Sequence, residues 1–347
     1  MDQNAEVISN ALEGSLNIID QDREKEIISR RFGLAGRKET LEQIGEMLNI
    51  TRERVRQLEK AILIRLRITA EEHQIPELTI AEKLIIRHLT ELGRTARVSD
   101  LANKIYGRTA TAEERASIAF IGDISPALTL IDENDRYHSA LSIAEYGDTK
   151  TVKARVDEIV NIIKANKAPM TPEELDAKLT GYDHPDYITA VASISKQLAT
   201  LNDAWGLAKW PTVNPRNIRD KIFVVLDAHK SPMHFSEIAE AIKNSKFKRR
   251  NVTIQAIHNE LIKDPRFVLI GRGIYALDSW GYTKGTVSDT IAHILRTANE
   301  PLTKEEIVKR VLRSRKVKET TILLNLQNKA LFEKVDRNSY KIAEKSS

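Results

Sequence analysis

An internal repeat constrains this chain more than any other feature. After residue 75 one unit recurs four times: an apolar-periodic helix, a short break, a second helix, a third helix and two short strands. Such self-similarity means a string of small supersecondary units rather than one large core. The first helices are read at Ala81–Leu92, Val152–Ala165, Ile218–Ala228 and Val287–Thr297, with aliphatic residues at helical spacing such as Ile159, Ile162 and Ile163. The breaks carry Pro169-Met170, Pro232-Met233 and Pro301-Leu302 at equivalent places. Second helices open on capping boxes at Thr171–Glu174 and Thr303–Glu306, with Pro172 at the favoured first helical position. Leu101, Leu175, Ile238 and Ile307 are their equivalent apolar anchors.

Each unit closes on two apolar stretches around a polar turn: Leu128–Ile131 with His138–Ile143, Leu198–Leu201 with Trp205–Trp210, Phe267–Ile270 with Ile274–Trp280, and Phe332–Val335 with Tyr340–Ile342. The intervening turns, such as Asn202-Asp-Ala204 and Gly271-Arg-Gly273, read as hairpin tips. Three helices and a β-hairpin in about 65 residues is the winged-helix pattern; four generic α+β units are the alternative. The expected fold class is mainly α with small β-hairpin wings, a helix-turn-helix domain followed by tandem winged-helix repeats. The expected bounds are 1–70 for the first domain, then 76–147, 150–212, 214–283 and 285–344.

The third unit resembles the HARE helix-turn-helix domain, a winged helix also found in the delta subunit of bacterial RNA polymerase. Ser231–Ala239 and Asp264–Ala276 carry the likeness, the second with a strand, a Gly-Arg-Gly turn and an aromatic return strand. It covers about 70 residues well and the other repeats only by pattern. The long acidic tail of the delta subunit is missing, so that subunit's role is not implied.

Residues 40–60 read TLEQIGEMLNITRERVRQLEK. Thr40 to Gln43 is a capping box, Gly45 is small where two helices must approach, and Asn49 suits a left-handed turn. Thr51 is placed to cap a second helix, and Ile50, Val55 and Leu58 supply the apolar face that packs it on the first. Its other face shows Arg52, Glu53, Arg54, Arg56, Gln57 and Lys60. Arg forks suit guanine O6/N7, Gln suits adenine N6/N7 and Glu accepts from cytosine N4, so this face has major-groove chemistry. A solvated helix with Arg–Glu pairing is the plainer reading of the same residues.

From Leu16 to Arg67 the chain resembles region 4 of primary bacterial sigma factors, which reads the upstream promoter element. The carrying runs are Asp22–Gly33, Thr40–Gly45 and Thr51–Glu59. The resemblance implies base and phosphate reading by Arg52, Glu53, Arg54, Arg56 and Gln57. Thr40, Thr51 and Lys60 are expected at phosphates. It also implies that the apolar face of residues 6–34 holds the tip of the polymerase beta flap. Region 4 normally ends a sigma factor, whereas 280 residues follow Arg67 here. No aromatic-rich, strand-melting segment like region 2 is found, and 18 aromatic residues leave little to build one. A free-standing initiation factor is therefore not expected.

Charge sharpens the division. Acidic residues exceed basic ones by 5 over residues 71–150, while residues 214–347 carry an excess of 11 basic residues. Such asymmetry points the C-terminal half at a polyanion. Lys243, Lys246, Lys248, Arg249 and Arg250 crowd the segment before the third helix of repeat three. Arg310, Arg313, Arg315, Lys316 and Lys318 crowd the matching segment of repeat four. Of these, Lys246, Lys248, Arg249, Arg250, Arg313, Arg315, Lys316 and Lys318 are expected at phosphates; a solubilising loop is the alternative. Repeats one and two, acidic to neutral, are expected to contact protein or act as spacers.

No catalytic constellation emerges. The histidines show no metal-ligand spacing, Gly271-Arg-Gly273 is explained as a wing turn, and there is no cysteine. No enzyme activity, metal or cofactor is expected, and neither a secretory leader nor a membrane span is read. Double-stranded DNA is the expected partner, with the RNA polymerase core through its beta flap as a second. The expected location is the bacterial cytoplasm, at the nucleoid. The sequence therefore points to a DNA-binding transcription regulator. The rival is a polymerase accessory subunit acting through protein contacts. A partner role to a nuclease, seen with HARE domains elsewhere, lacks any catalytic domain here.

Overall fold

The computed structural model describes residues 3–181, 184–247, 251–282, 285–315 and 317–343. They form two compact units, Met1–Lys209 and Trp210–Ser347.

The first unit opens with α1 (Gln3–Asn17), α2 (Asp22–Phe32), α3 (Leu41–Leu48) and α4 (Arg52–Glu71). The expected punctuation is present. Thr40 and Gln43 close a reciprocal capping box on α3, and Asn49 ends that helix in the left-handed region at φ 51, ψ 49. A Cβ on Gly45 would lie 2.7 Å from the Ile50 carbonyl oxygen, so only glycine lets the turn fold back this closely. Thr51 then caps α4 by accepting from the Arg54 amide. Ile27, Ile44 and Val55 form the small core between α2, α3 and α4.

Repeat one comprises α5 (Pro76–Glu91), β1 (Thr95–Arg97), α6 (Val98–Tyr106), α7 (Ala112–Ile124), β2 (Leu128–Ile131) and β3 (Ala140–Ile143). Repeat two comprises α8 (Thr149–Asn166), α9 (Pro172–Asp176), α10 (Pro185–Ile194), β4 (Leu198–Leu201) and β5 (Ala204–Leu207). In the second unit, repeat three runs α11 (Ile218–His229), β6 (Met233–His234), α12 (Phe235–Asn244), α13 (Ile254–Lys263), β7 (Phe267–Gly271) and β8 (Ile274–Leu277). Repeat four runs α14 (Val287–Ala298), β9 (Leu302–Thr303), α15 (Lys304–Ser314), α16 (Glu319–Leu326), β10 (Phe332–Lys334) and β11 (Ser339–Ile342).

The breaks after the first helices are more than loops. In repeats one, three and four the break forms a short strand that pairs antiparallel with the return strand of the hairpin, giving sheet orders β1-β3-β2, β6-β8-β7 and β10-β11-β9. In repeat two it shrinks to a bridge between Met170 and Trp205. Pro169, Pro232 and Pro301 come just before these edge segments, where a missing N–H costs no ladder bond. Asn202 and Asp203 turn the repeat-two hairpin with φ of 50° and 62°, the geometry that lets two residues join right-twisted strands.

The boundary near residue 70 does not separate two cores. Ile8, Ala11, Ile28 and Leu66 share one apolar cluster with Ile85, Leu101, Ile118 and Phe120 of repeat one. Phe32 meets Phe120 edge-on, with ring centroids 5.1 Å apart at 74°. From α4, Arg67 donates to the Asp123 carboxylate at 2.6 Å and to its carbonyl at 2.9 Å. Burial pushes the Asp123 carboxyl above its ordinary range, against the pull of Arg67.

Repeat two docks on repeat one through its third helix. Arg97 donates to the Ser193 carbonyl at 2.5 Å, and the His138 amide to the Ile194 carbonyl at 2.8 Å. A Cβ on Gly93, at φ +88, would lie 2.7 Å from the Asp186 carbonyl oxygen, so this glycine sits where α10 comes closest. Phe120 is the largest fully buried side chain among the described residues. Phe120→Ala is expected to cost about 3–5 kcal/mol, read as a lower denaturant midpoint for the N-terminal unit with the C-terminal unit unchanged.

Candidate nucleic-acid interface

The first half of α4 presents the six expected side chains to solvent: Arg52, Glu53, Arg54, Arg56, Gln57 and Lys60 are largely solvent-facing, while Val55 between them is fully buried. The helical spacing explains this directly, since Val55, Ile62 and Leu66 hold the inner face. Arg56 grips Glu53 through two bonds, Nε to Oε2 at 2.8 Å and Nη2 to Oε1 at 2.7 Å, and Gln57 Nε2 reaches Glu53 Oε1 at 3.3 Å. Arg52, Arg54 and Lys60 have no ion-pair partner among the described residues. The helix thus combines an organised Glu–Arg–Gln set with uncommitted cations. The hydroxyls of Thr40 and Thr51, expected at phosphates, are both engaged as helix caps at the edge of this surface.

The Arg56 guanidinium holds the Glu53 carboxyl far below the usual range, at about 2. A depressed carboxylate keeps its pairing above its folded pKa and loses it only as pH falls through that value. Glu53 therefore remains an acceptor on this face throughout the neutral and mildly acidic range. In a pH titration followed by carboxyl-selective NMR, Glu53 is expected to titrate near 2. In Arg56→Ala it is expected to return to the ordinary glutamate range.

The basic clusters divide by environment. Lys243 and Lys246 of repeat three are exposed, as are Arg313 at the end of α15 and Lys318 at the start of α16. Lys248, Arg249, Arg250 and Lys316 lie outside the described residues. Arg310 is committed to Glu306 at 2.7 Å. Arg315 is a correction: it is 5% exposed and cannot meet a phosphate. Its guanidinium donates to the Gly285 carbonyl at 2.5 Å, the Thr290 hydroxyl at 3.1 Å and the Leu269 carbonyl at 3.1 Å. The extended backbone at Arg315 follows the end of α15, and the long side chain reaches inward to carbonyls of both repeats. Burial pulls its pKa below the ordinary guanidinium value. Arg315→Ala should leave these acceptors unsatisfied at a cost of roughly 1–3 kcal/mol. This is measurable as a lower unfolding midpoint of the C-terminal unit, while Arg313→Ala should leave that midpoint unchanged.

Sequence reasoning missed a larger contrast. In a winged helix the third helix faces the nucleic acid, yet α7 and α10 are enclosed. Ser117, Ile118, Phe120, Ile121, Gly122 and Ile124 of α7 are buried, and a Cβ on Gly122 would collide with Leu141. In α10, Tyr187, Ile188, Val191, Ala192 and Ile194 are all buried. The signal was available: PDYITAVASI has a single charged residue, which marks a helix buried all round. By contrast α13 and α16 bury only Ile257 and Leu261, and Ile322 and Leu326.

The expectation for the beta flap is also corrected. The apolar face of residues 6–34 is filled by the chain itself, with Ile8, Ala11 and Ile28 packed in the cluster that contains α5 and α7. The histidines have local duties, since His184 and His234 cap α10 and α12. Among the described residues no group of three or more acidic or histidine side chains could hold a metal, and no helix is long and apolar enough to cross a membrane.

These features define a mainly helical protein with small antiparallel sheets, built from helix-turn-helix domains. Residues 21–67 match the family described as Sigma-70, region 4. Residues 217–280 match the HARE-HTH family, whose description names ASXL and the restriction endonuclease HTH domain. The first segment is 47% identical over 57 residues to RNA polymerase sigma factor SigA1 of Synechococcus elongatus, covering 16% of this chain and 14% of that protein. It is 38% identical over 73 residues to SigA of Listeria monocytogenes, covering 21% and 19%. The chain therefore spans less than a fifth of the length of these curated relatives. It carries a sigma-type region 4 at its N-terminal end and a HARE helix-turn-helix in its basic half.

Proposed function

We propose that this protein is a DNA-binding transcription regulator that acts by binding rather than catalysis. In this reading α4 reads a promoter-like element, while the basic repeats add contacts to duplex DNA. The observation that carries the reading is the exposed face of α4, where Arg52 and Arg54 stand uncommitted beside the Glu53–Arg56–Gln57 set. Exposed third helices in the two basic repeats support it, as do exposed Lys243, Lys246, Arg313 and Lys318. The protein would work in the bacterial cytoplasm, on nucleoid DNA.

A second reading, an RNA polymerase accessory subunit, is favoured by the sigma-factor relatives. It needs a polymerase contact on some surface other than residues 6–34, which are covered. Fluorescence anisotropy on duplexes with and without a sigma-type upstream element separates the two readings. Arg54→Ala and Gln57→Ala should each lower discrimination between cognate and scrambled duplex by about 1–3 kcal/mol, with salt-sensitive general affinity retained. Unchanged discrimination in both variants would sink the α4 assignment. Capture of core polymerase without duplex affinity at moderate salt would favour the accessory subunit.

A further inference from the structure

Among the four third helices, α13 has a distinctive solvent face. Ile254, Gln255, Asn259 and Ile262 are exposed, Ile254 at 53% and Ile262 at 64%. Gln255, Asn259 and Ile262, at steps of four and three residues, lie along one stripe opposite buried Ile257 and Leu261, while Ile254 opens the helix on the side of those two buried residues. Gln255 Nε2 donates to Asn259 Oδ1 at 3.1 Å. That bond leaves the Asn259 amide donors and the Gln255 carbonyl, which together make one donor and one acceptor site held side by side.

We propose that α13 reads A·T base pairs in the DNA major groove, with Gln255 and Asn259 on the adenine edge and Ile262 against a thymine methyl. The proposal rests on the reading above, that this half of the chain binds duplex DNA, and adds what it selects. Adenine offers an N7 acceptor beside an N6 donor, which an amide matches; thymine alone adds a methyl to the groove. Guanine offers two acceptors, which call for a cationic fork. The one lysine or arginine of α13 is Lys263, its last residue. Its one acid, Glu260, is half-buried and off the stripe.

The surroundings suit a polyanion. Basic residues exceed acidic ones by 6 over residues 214–284, and exposed Lys243 and Lys246 precede α13. Exposed Arg272 stands at the wing tip beside Gly273, whose φ of +72 and contact with His234 exclude a side chain there. Repeat four lacks the amide pair. Its Asn325 accepts from Ser288 at 2.7 Å and donates to the Thr321 carbonyl at 2.7 Å, so it serves the fold. The two reading helices then differ in kind, α4 through arginine forks and α13 through amides and a methyl contact. The chain selects a bipartite target with one A·T-rich part.

The test uses the full chain carrying Arg54→Ala and Gln57→Ala, which removes the preference of α4. A·T-rich and G·C-rich duplexes of equal length compete at fixed salt. The A·T-rich duplex is expected to bind roughly tenfold tighter. Adding Gln255→Ala and Asn259→Ala should bring the ratio close to one, with affinity for the G·C-rich duplex and the unfolding midpoint unchanged. A preference that survives the double substitution overturns the inference. Equal, salt-sensitive binding of both duplexes before that substitution overturns it too, and leaves the DNA-binding reading standing. No binding of either duplex overturns both, and tighter binding of single-stranded RNA than of either duplex overturns the inference.

Discussion

The enclosure of α7 governs what the N-terminal unit can do. Phe120 enters the apolar face of the helix-turn-helix segment and meets Phe32, while Arg67 and Asp123 pin α4 to the end of the same helix. Three consequences follow from this one packing. The face that would take a polymerase flap is occupied, the third helix of the first winged repeat has no surface left to read DNA, and α4 is anchored along its inner side. The polar first half of α4 stays exposed, as do Ile64 and Ile68 on its second half. Packing thus removes two candidate interfaces and leaves one.

Desolvation sets the second division. A helix proposed to meet DNA must keep a polar or sparsely apolar face in water until the duplex arrives, and α13 and α16 keep such a face. A helix that bonds two repeats together must shed its charges, as α10 has, because an unpaired buried charge costs several kcal/mol. The same rule explains Arg315, which resembles its neighbours in sequence and differs from them in environment. Two carbonyls and a hydroxyl surround its guanidinium, so its charge is spent on joining repeat three to repeat four. Burial explains why the acidic-to-neutral repeats and the basic repeats differ in more than charge.

Most of the architecture was legible in the sequence because its signals are local. The Thr40–Gln43 box, the left-handed Asn49 and the Gly45 contact are encoded within a dozen residues and are all present. Four recurrences of one pattern made the wings readable where a single one would not have been. The edge strands were not read, because β6 and β9 are two residues long and gain their identity only by pairing with β8 and β11, some forty residues away. The inward turn of Arg315 was hidden for the same reason, since its acceptors Leu269 and Gly285 lie 46 and 30 residues away. The covered flap face needed both partners: an apolar face on residues 6–34 says that something packs there, and only the structure says that α5 and α7 do.

The sigma-type segment therefore sits in a different physical setting from the one its sequence implies. In this chain the support that orients α4 is covalently attached and built in, and α4 needs no second protein to hold its inner face. A helix so anchored spends little ordering entropy when it meets DNA, and rigidity of this kind adds to affinity by lowering the cost of binding. The Glu53–Arg56 pair extends the same logic to the side chains. An arginine held by a bidentate partner samples fewer rotamers than a free one, so part of the candidate surface is arranged in advance. Arg52 and Arg54 stand exposed beside it, without ion-pair partners among the described residues. In the reading proposed above, one prearranged pair and two unpaired cations suit a helix that finds its register through phosphates and then discriminates through bases.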